Sequence, residues 1–493
     1  MASLSDKAGI LIVANLLKYG VGFVLPMVLV RLLSAQEYGT YQQLALVASL
    51  GSALLLLGLP TSIFYFHARS DGVQRAALQV QTLALLGVLG LVGAVAATLG
   101  AGPIGALLRN PEIARLLPVF ALSSALLMGS EGFVAFMIVA DRYRMALGFE
   151  VGETIVRVAL MVTPLWLGFG LRGLVLALLG FAVLRYLGRI GTLYALRDRS
   201  VVDWRGSLFV REQLGYSLPL AATGWVSIVA GMLDRAIIAM FFSTVDYAIY
   251  SVGALEIPLD VIFQASVADV MRATLPRLIR EGNEVEIRRL LAEATRKLAL
   301  IVLPSFVFLW LFAQAFITTL FTTRYAQSVH VFRIYLLLLP LHMFVLSMVP
   351  QAYGETRINL RIGTGISLLH VALSFLLLKV IGFYGPAISG VICAYARSAW
   401  FGYVNLRLTH ARIRDLLPGS ALLRTALACL AAAAAAHAVG HPLPWRLLNL
   451  VLSGGVFSAT YLVAAIATGA LTAGDRRLLL RAAGRVLPRW IAS

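Results

Sequence analysis

The chain has 493 residues, of which 60% are hydrophobic and only 13% charged. Soluble domains carry about 25% charged residues, so a water-soluble globular enzyme is excluded, and the recurring apolar runs of about 20 residues match the roughly 30 Å core of a bilayer. A formal net charge of +18 would raise nucleic acid as a partner in a soluble protein. Here the basic residues collect in short connections, which membrane topology explains first, so no nucleic acid is expected.

MASLSDK leads into an apolar run from about Ala8 to Leu33. The run is too long for a signal-peptide core and has no clear cleavage site, so it is expected to remain as the first membrane helix. Further runs follow at about 41–66, 78–100, 115–139, 148–168, 173–195 and 214–242, then at about 248–271, 298–320, 331–352, 362–381, 385–406, 421–439 and 448–471. The predicted fold class is an all-α polytopic membrane protein of about fourteen helices. Cys393 and Cys429 fall inside apolar runs and read as packed thiols.

Placing the N-terminus in the cytoplasm puts about 30 Lys and Arg on that side, with Arg185 to Arg211 counted there, against about 8 outside. Both termini are therefore expected in the cytoplasm. Two basic segments, PRLIREGNEVEIRRLLAEATRK from Pro276 and DRRLLLRAAGRVLPRW from Asp475, read as amphipathic helices on anionic headgroups.

A short polar phrase occurs twice. RLLSAQEYGTYQ at 31–42 and MFFSTVDYAIYS at 240–251 share a Ser, an acid three residues on, and two tyrosines, with Ser34 and Ser243 standing 209 residues apart. Each copy closes one apolar run and opens the next. Gly170-Leu-Arg-Gly173 resembles Gly382-Phe-Tyr-Gly385, and Ala140-Asp141 resembles Gly354-Glu355, at offsets of 212 and 214. These matches predict two parallel six-helix repeats related by an axis along the membrane normal. The expected organisation is a first lobe over 1–196, a basic cytoplasmic linker over 197–213, a second lobe over 214–410, and helices 13 and 14 with a basic tail over 411–493. The phrase itself reads as a tight outer turn, its tyrosines anchored at the headgroup level.

A charge on a membrane helix costs about 2.5–3.5 kcal/mol or more, so each needs a reason. Lys18 lies about 15 Å into the first helix. Glu150, Glu153 and Arg157 share one helix face, and Glu153 can pair with Arg157. Asp234 and Arg235 are adjacent and point about 100° apart. Glu256 and Asp260, four apart around Pro258, repel unless a proton or cation intervenes. The three basic groups Lys18, Arg157 and Arg235 read as a path for an anionic head. Glu256, Asp260 and Asp234 read as candidates for coupling to H+ or Na+, and Glu131, Glu150 and Glu153 as members of an ion-pair network.

Nothing points to catalysis. The seven histidines include no HExxH, no P-loop occurs, and no resident cofactor or metal is expected.

RLLSAQEYGTYQ after the first helix, LDRAIIAMFFSTVDYAIYS from Leu233, and GETRINLRIG from Gly354 together resemble the recurring phrases of polysaccharide biosynthesis flippases. These form the O-antigen (Wzx-type) branch of the multidrug/oligosaccharidyl-lipid/polysaccharide exporter superfamily. The resemblance implies two six-helix lobes around a cavity. It also implies transport of an undecaprenyl-diphosphate-linked oligosaccharide from the cytoplasmic to the periplasmic leaflet of the bacterial inner membrane. A polysaccharide polymerase and a chain-length regulator join the lipid bilayer as candidate partners. A drug/cation antiporter of the same superfamily and a non-transporting scaffold are the alternatives. Basic residues at depth and helices 13 and 14 argue against the antiporter.

Overall fold

The structure is a computed structural model that describes residues 19–196, 208–255, 257–439, 445–475 and 477. Every regular element among them is helical. Lys18, Glu256, the linker residues 197–207 and most of the tail beyond Asp475, for which the sequence raises expectations, lie outside the described residues.

The first run is represented by α1, Tyr19–Leu32. The helices α2 (Ala35–Leu55), α3 (Leu59–His67), α4 (Gly72–Leu99), α5 (Ala101–Leu107), α6 (Pro111–Gly129), α7 (Phe133–Val139), α8 (Tyr143–Trp166) and α9 (Gly170–Ala195) follow. Then come α10 (Val210–Phe241), α11 (Thr244–Gly253), α12 (Pro258–Arg280), α13 (Glu284–Leu311), α14 (Ala313–Leu320), α15 (Ser328–Leu336) and α16 (Met348–Ala352). The chain closes with α17 (Thr356–Ile381), α18 (Gly385–Leu408), α19 (Ile413–Leu416), α20 (Gly419–Ala438) and α21 (Arg446–Ala467). Within the described residues, each predicted apolar run is occupied by one helix or by consecutive shorter ones. The chain is a multi-pass, all-α membrane protein.

The described helices form two compact units. The first holds the residues up to Val252 together with Ser367–Pro386, and the second holds Gly253–Ile366 and the residues from Ala387 onward. Helix α10 belongs to the first unit and packs on α2 and α3. A buried polar knot near its start explains this. Gln213 donates to Ser62 Oγ at 2.9 Å and Thr82 Oγ1 at 2.8 Å, and accepts from Gln81 at 2.8 Å. Such a fully paired network fixes one register in an apolar setting.

The repeat is visible in the backbone. Helices α2 and α11 start 209 residues apart, α8 and α17 start 213 apart, and α9 and α18 start 215 apart. The paired glycines Gly170 and Gly382 both adopt positive φ, +57° and +73°, where a side chain is disfavoured.

Both copies of the polar phrase form the same capping box. Ser34 Oγ accepts from the Glu37 amide at 3.2 Å, and Glu37 Oε2 accepts from the Ser34 amide and hydroxyl at 3.0 and 2.8 Å. Ser243 and Asp246 repeat this at 3.1, 3.2 and 2.6 Å. The box satisfies donors that a helix start otherwise leaves unpaired. The tyrosines correct the sequence expectation. Tyr38, Tyr247 and Tyr250 are at most 2% exposed, so they pack inside the protein and do not anchor at the headgroups.

Two spans break at equivalent places. The chain leaves helical geometry between α6 and α7 at Ser130, and again after Met343 at Phe344, 214 residues on. Freed carbonyls in an apolar span need partners. In the second unit three side-chain amides supply them: Gln264 to Phe344 O at 3.0 Å, Asn405 to Leu346 O at 3.1 Å, and Asn359 to Ser347 O at 3.4 Å.

The basic segment from Pro276 is a helical hairpin and not one surface helix. Helix α12 ends at Arg280, Gly282 turns the chain at φ +67°, and Asn283 caps α13. Its apolar residues Leu275, Leu278, Ile287 and Leu291 are buried in one cluster. Helices α20 and α21 pack through small residues, Ala428, Cys429, Ala432 and Ala436, against Phe457 and Tyr461, as apolar helix pairs do when backbones approach closely. Both cysteines are buried and free.

Candidate functional site

The first unit contains a cavity of about 370 Å³ whose walls carry six charged side chains: Glu131, Glu150, Glu153, Arg157, Arg185 and Arg189. A second cavity of about 300 Å³ shares Tyr41, Glu131, Arg157 and Arg185 with it and adds Ser49, Ser123 and Ser124. In an apolar span each of these charges needs a reason, and the geometry supplies one for all but one.

Helix α9 carries Arg185 and Arg189 four residues apart, on one face. Arg189 is 1% exposed, the largest fully buried side chain described. Its Nε and Nη2 donate to the two oxygens of Glu153 at 2.7 and 2.6 Å, and Nη2 also donates to Glu150 at 2.7 Å. Nη1 reaches the Ser130 carbonyl at 3.4 Å, at the break between α6 and α7, where that oxygen also accepts from the Phe133 amide at 3.2 Å. The guanidinium stands 5.2 Å from the Phe133 ring centroid. Arg185 pairs with Glu131 at 2.7 Å and Glu153 at 3.4 Å. A planar fork that makes several hydrogen bonds at once suits arginine and not lysine.

The three glutamates are thus consumed by two arginines on the neighbouring helix. The expected pairing of Glu153 with Arg157 along α8 does not occur, because Glu153 turns to α9. Arg157 is exposed to the cavity and makes no ion pair with a described residue. Its neighbour is the hydroxyl of Tyr41, the last tyrosine of the first polar phrase. Tyr41 also meets Phe120 edge-on, with ring centroids 6.5 Å apart.

Sequence reasoning singled out Glu131, Glu150, Glu153 and Arg157, and the structure brings all four into one cavity. It missed Arg185 and Arg189 by counting them as loop charges. Their spacing of four, opposite the Glu150, Glu153 and Arg157 face, was the signal available.

Arg235 and Asp234 stand apart from this cavity. Asp234 is 7% exposed, accepts from the backbone N of Arg235 at 2.9 Å, and receives the Tyr250 hydroxyl at 3.4 Å. His370 and Arg235 lie close enough to act on its charge. The last tyrosine of each phrase therefore meets a charged group, Arg157 in one repeat and Asp234 in the other. Asp260 is placed only as a residue of the first turn of α12. Asp269 pairs with Arg272 at 2.6 Å in an exposed position. Among the described residues no cluster of His, Cys, Asp and Glu suits a metal ion.

A family model described as polysaccharide biosynthesis protein matches residues 28–330. No curated protein matches the chain in sequence. Among solved structures, the chain is similar to the lipid II flippase MurJ in an inward closed conformation. The TM-score is 0.67 at 13% identity, covering 93% of this chain and 98% of that one. It is also similar to a multidrug resistance MATE family transporter of the MOP superfamily in an inward-facing conformation, with a TM-score of 0.61 and 17% identity over 80% and 95%. A MOP superfamily transporter from Pyrococcus furiosus, described as having a binding pocket of reversed polarity, gives 0.55 and 17% over 81% and 94%. At these identities the likeness concerns the fold.

Proposed function

The chain belongs to the polysaccharide biosynthesis protein family, and on that premise we propose that it is a flippase for a polyprenyl-diphosphate-linked oligosaccharide. Its direction is from the cytoplasmic to the periplasmic leaflet of a bacterial inner membrane, by alternating access, with both termini in the cytoplasm. The observation that carries this reading is Arg157. It is a cavity-exposed guanidinium with no carboxylate partner among the described residues, in a cavity whose three glutamates are all paired with Arg185 and Arg189.

The chemistry supports it. A diphosphate sugar head cannot cross hydrocarbon without a polar route. A guanidinium binds phosphate oxygens through charge-assisted, bidentate hydrogen bonds. Tyr41, Thr154 and Gln42 line the same cavity and offer hydroxyl and amide partners for sugar. An organic cation would gain nothing from Arg157, which disfavours drug/cation exchange. The paired charges at Arg189 tie α8 to α9 at this cavity, and such a pair loses most when one partner is removed. Coupling to a proton or sodium gradient belongs to this proposal, with Asp234, Asp260 and Glu256 as the acids that would carry it, and a polymerase and chain-length regulator as partners downstream.

Deletion of the gene tests the reading. The expected result is loss of a surface glycan, with lipid-linked precursor accumulating on the cytoplasmic side. Drug sensitivity with intact glycan would instead support an antiporter. Full restoration of the glycan by a variant carrying Arg157→Ala would leave only a scaffold role.

A further inference from the structure

The second unit carries its own cavity, of about 570 Å³, and its chemistry is the reverse of the first. One stripe of α18, Tyr395, Ala399, Gly402 and Leu406, forms one wall. The broken stretch Phe344–Leu346 forms another, and Ile413 and Leu416 of α19 close the end. The volume lies within the roughly 300–1,000 Å³ range of small-molecule sites. Water has few polar partners on such walls, and an empty void would forfeit the dispersion contacts of every group lining it.

The groove ends where α18 leaves its apolar span at Leu408. There the side chains change to arginine. Arg407, Arg412 and Arg414 are exposed, and the Arg407 guanidinium stands 5.9 Å from the ring of Tyr403, a groove residue. Arg412 and Arg414 flank Ile413. The nearby carboxylate of Asp415 accepts from the Arg412 amide at 2.8 Å, leaving the group with net positive charge. An apolar slot that ends in cations at the edge of a span matches an amphiphile with a hydrocarbon chain and an anionic head.

We propose that this groove binds one anionic phospholipid of the surrounding bilayer, its acyl chain along the α18 stripe and its phosphate on Arg407, Arg412 and Arg414. The groove shares no lining residue with the Arg157 cavity and does not depend on what that cavity transports. Arginine is suited to the phosphate through its planar fork, and basic groups at a membrane surface attract anionic lipids.

Gly402 makes the test clean. Nothing lies within 4 Å of a Cβ built there, so a larger side chain enters the groove and not a neighbouring helix. The full chain is purified in detergent, titrated with phosphatidylglycerol or phosphatidylcholine, and examined by native mass spectrometry. The expected result is one tightly retained phosphatidylglycerol in the unmodified chain and in Gly402→Ala, and none in Gly402→Trp. Removing two arginines, Arg412→Ala with Arg414→Ala, should weaken phosphatidylglycerol about thirtyfold, at about 1 kcal/mol for each charge, and leave phosphatidylcholine unchanged. Equal retention of the two lipids, loss in Gly402→Ala, or retention that survives Gly402→Trp would overturn the proposal. Preferential capture of undecaprenyl phosphate over phosphatidylglycerol would also overturn it, and would assign the groove to a prenyl chain.

Discussion

The carbonyl of Thr244 stands where a side chain on Gly39 would have to begin. Gly39 follows the Ser34–Glu37 capping box and Thr244 lies within the Ser243–Asp246 box, so the corners of the two repeats touch backbone to backbone. The other oxygen of Glu37 accepts from the Leu171 amide at 3.3 Å, and Tyr250 and Phe242 both meet Phe383 edge-on. Each corner is thus tied to the glycine turn of its own repeat.

Replacing Gly39 by alanine should therefore destabilise the chain by about 1–3 kcal/mol, the usual cost of overpacking. Gly51 lies on the same helix with nothing near its Cβ position. Alanine there should be neutral or stabilising by up to about 1 kcal/mol through helix propensity. Thermal unfolding of the two variants in one detergent separates these outcomes.

Arg189→Leu should destabilise, by at most about 3–5 kcal/mol, because it strands the partly buried carboxylates of Glu150 and Glu153. Adding Glu150→Gln and Glu153→Gln to it should recover part of the loss, since the stranded charges are then gone. Lysine at the same position should recover little, as a point charge cannot reproduce the fork that holds Glu153. Denaturation midpoints across this series measure the effect.

Asp475, beyond the end of α21, gives a pH signature. Burial raises its carboxyl, but hydrogen bonds from Arg296 and from the side chain and backbone of Thr472 outweigh that and hold it at about 2. The folded value lies below the ordinary 3.8, so the stabilisation is present above that pH and is lost as pH falls toward 2. Asp475→Asn should lower the unfolding temperature at pH 5 to 7, and the gap to the unmodified chain should close as pH drops below about 4. A gap that is constant down to pH 2 would place the role of Asp475 elsewhere.

The architecture was largely legible because its signals are local. A capping box needs four consecutive residues, and Ser34 with Glu37 and Ser243 with Asp246 show it directly. The face of Glu150, Glu153 and Arg157 follows from helical spacing. What stayed hidden depended on tertiary partners. Arg185 and Arg189 sit near the end of an apolar run, where a rule based on charge outside the membrane assigns them to a loop. Only the carboxylates of the neighbouring helix turn them inward. The tyrosines of the polar phrase were misread for the same reason. Aromatic residues at a span end usually face headgroups, and the contact of Tyr250 with Asp234 cannot be seen without the fold. The break at Phe344 is also invisible in hydropathy, since its carbonyls are satisfied by Gln264, Asn359 and Asn405 from distant parts of the chain.

The central claim is that Arg157 receives the phosphate of a lipid-linked glycan. The most direct measurement is translocation of a fluorescent polyprenyl-diphosphate oligosaccharide in proteoliposomes containing the purified chain. Losing a charge-assisted hydrogen bond worth about 1.5–3 kcal/mol should slow transport by Arg157→Ala roughly 10- to 100-fold, with Arg157→Lys in between and thermal stability unchanged. Transport by Arg157→Ala at the rate of the unmodified chain would contradict the account.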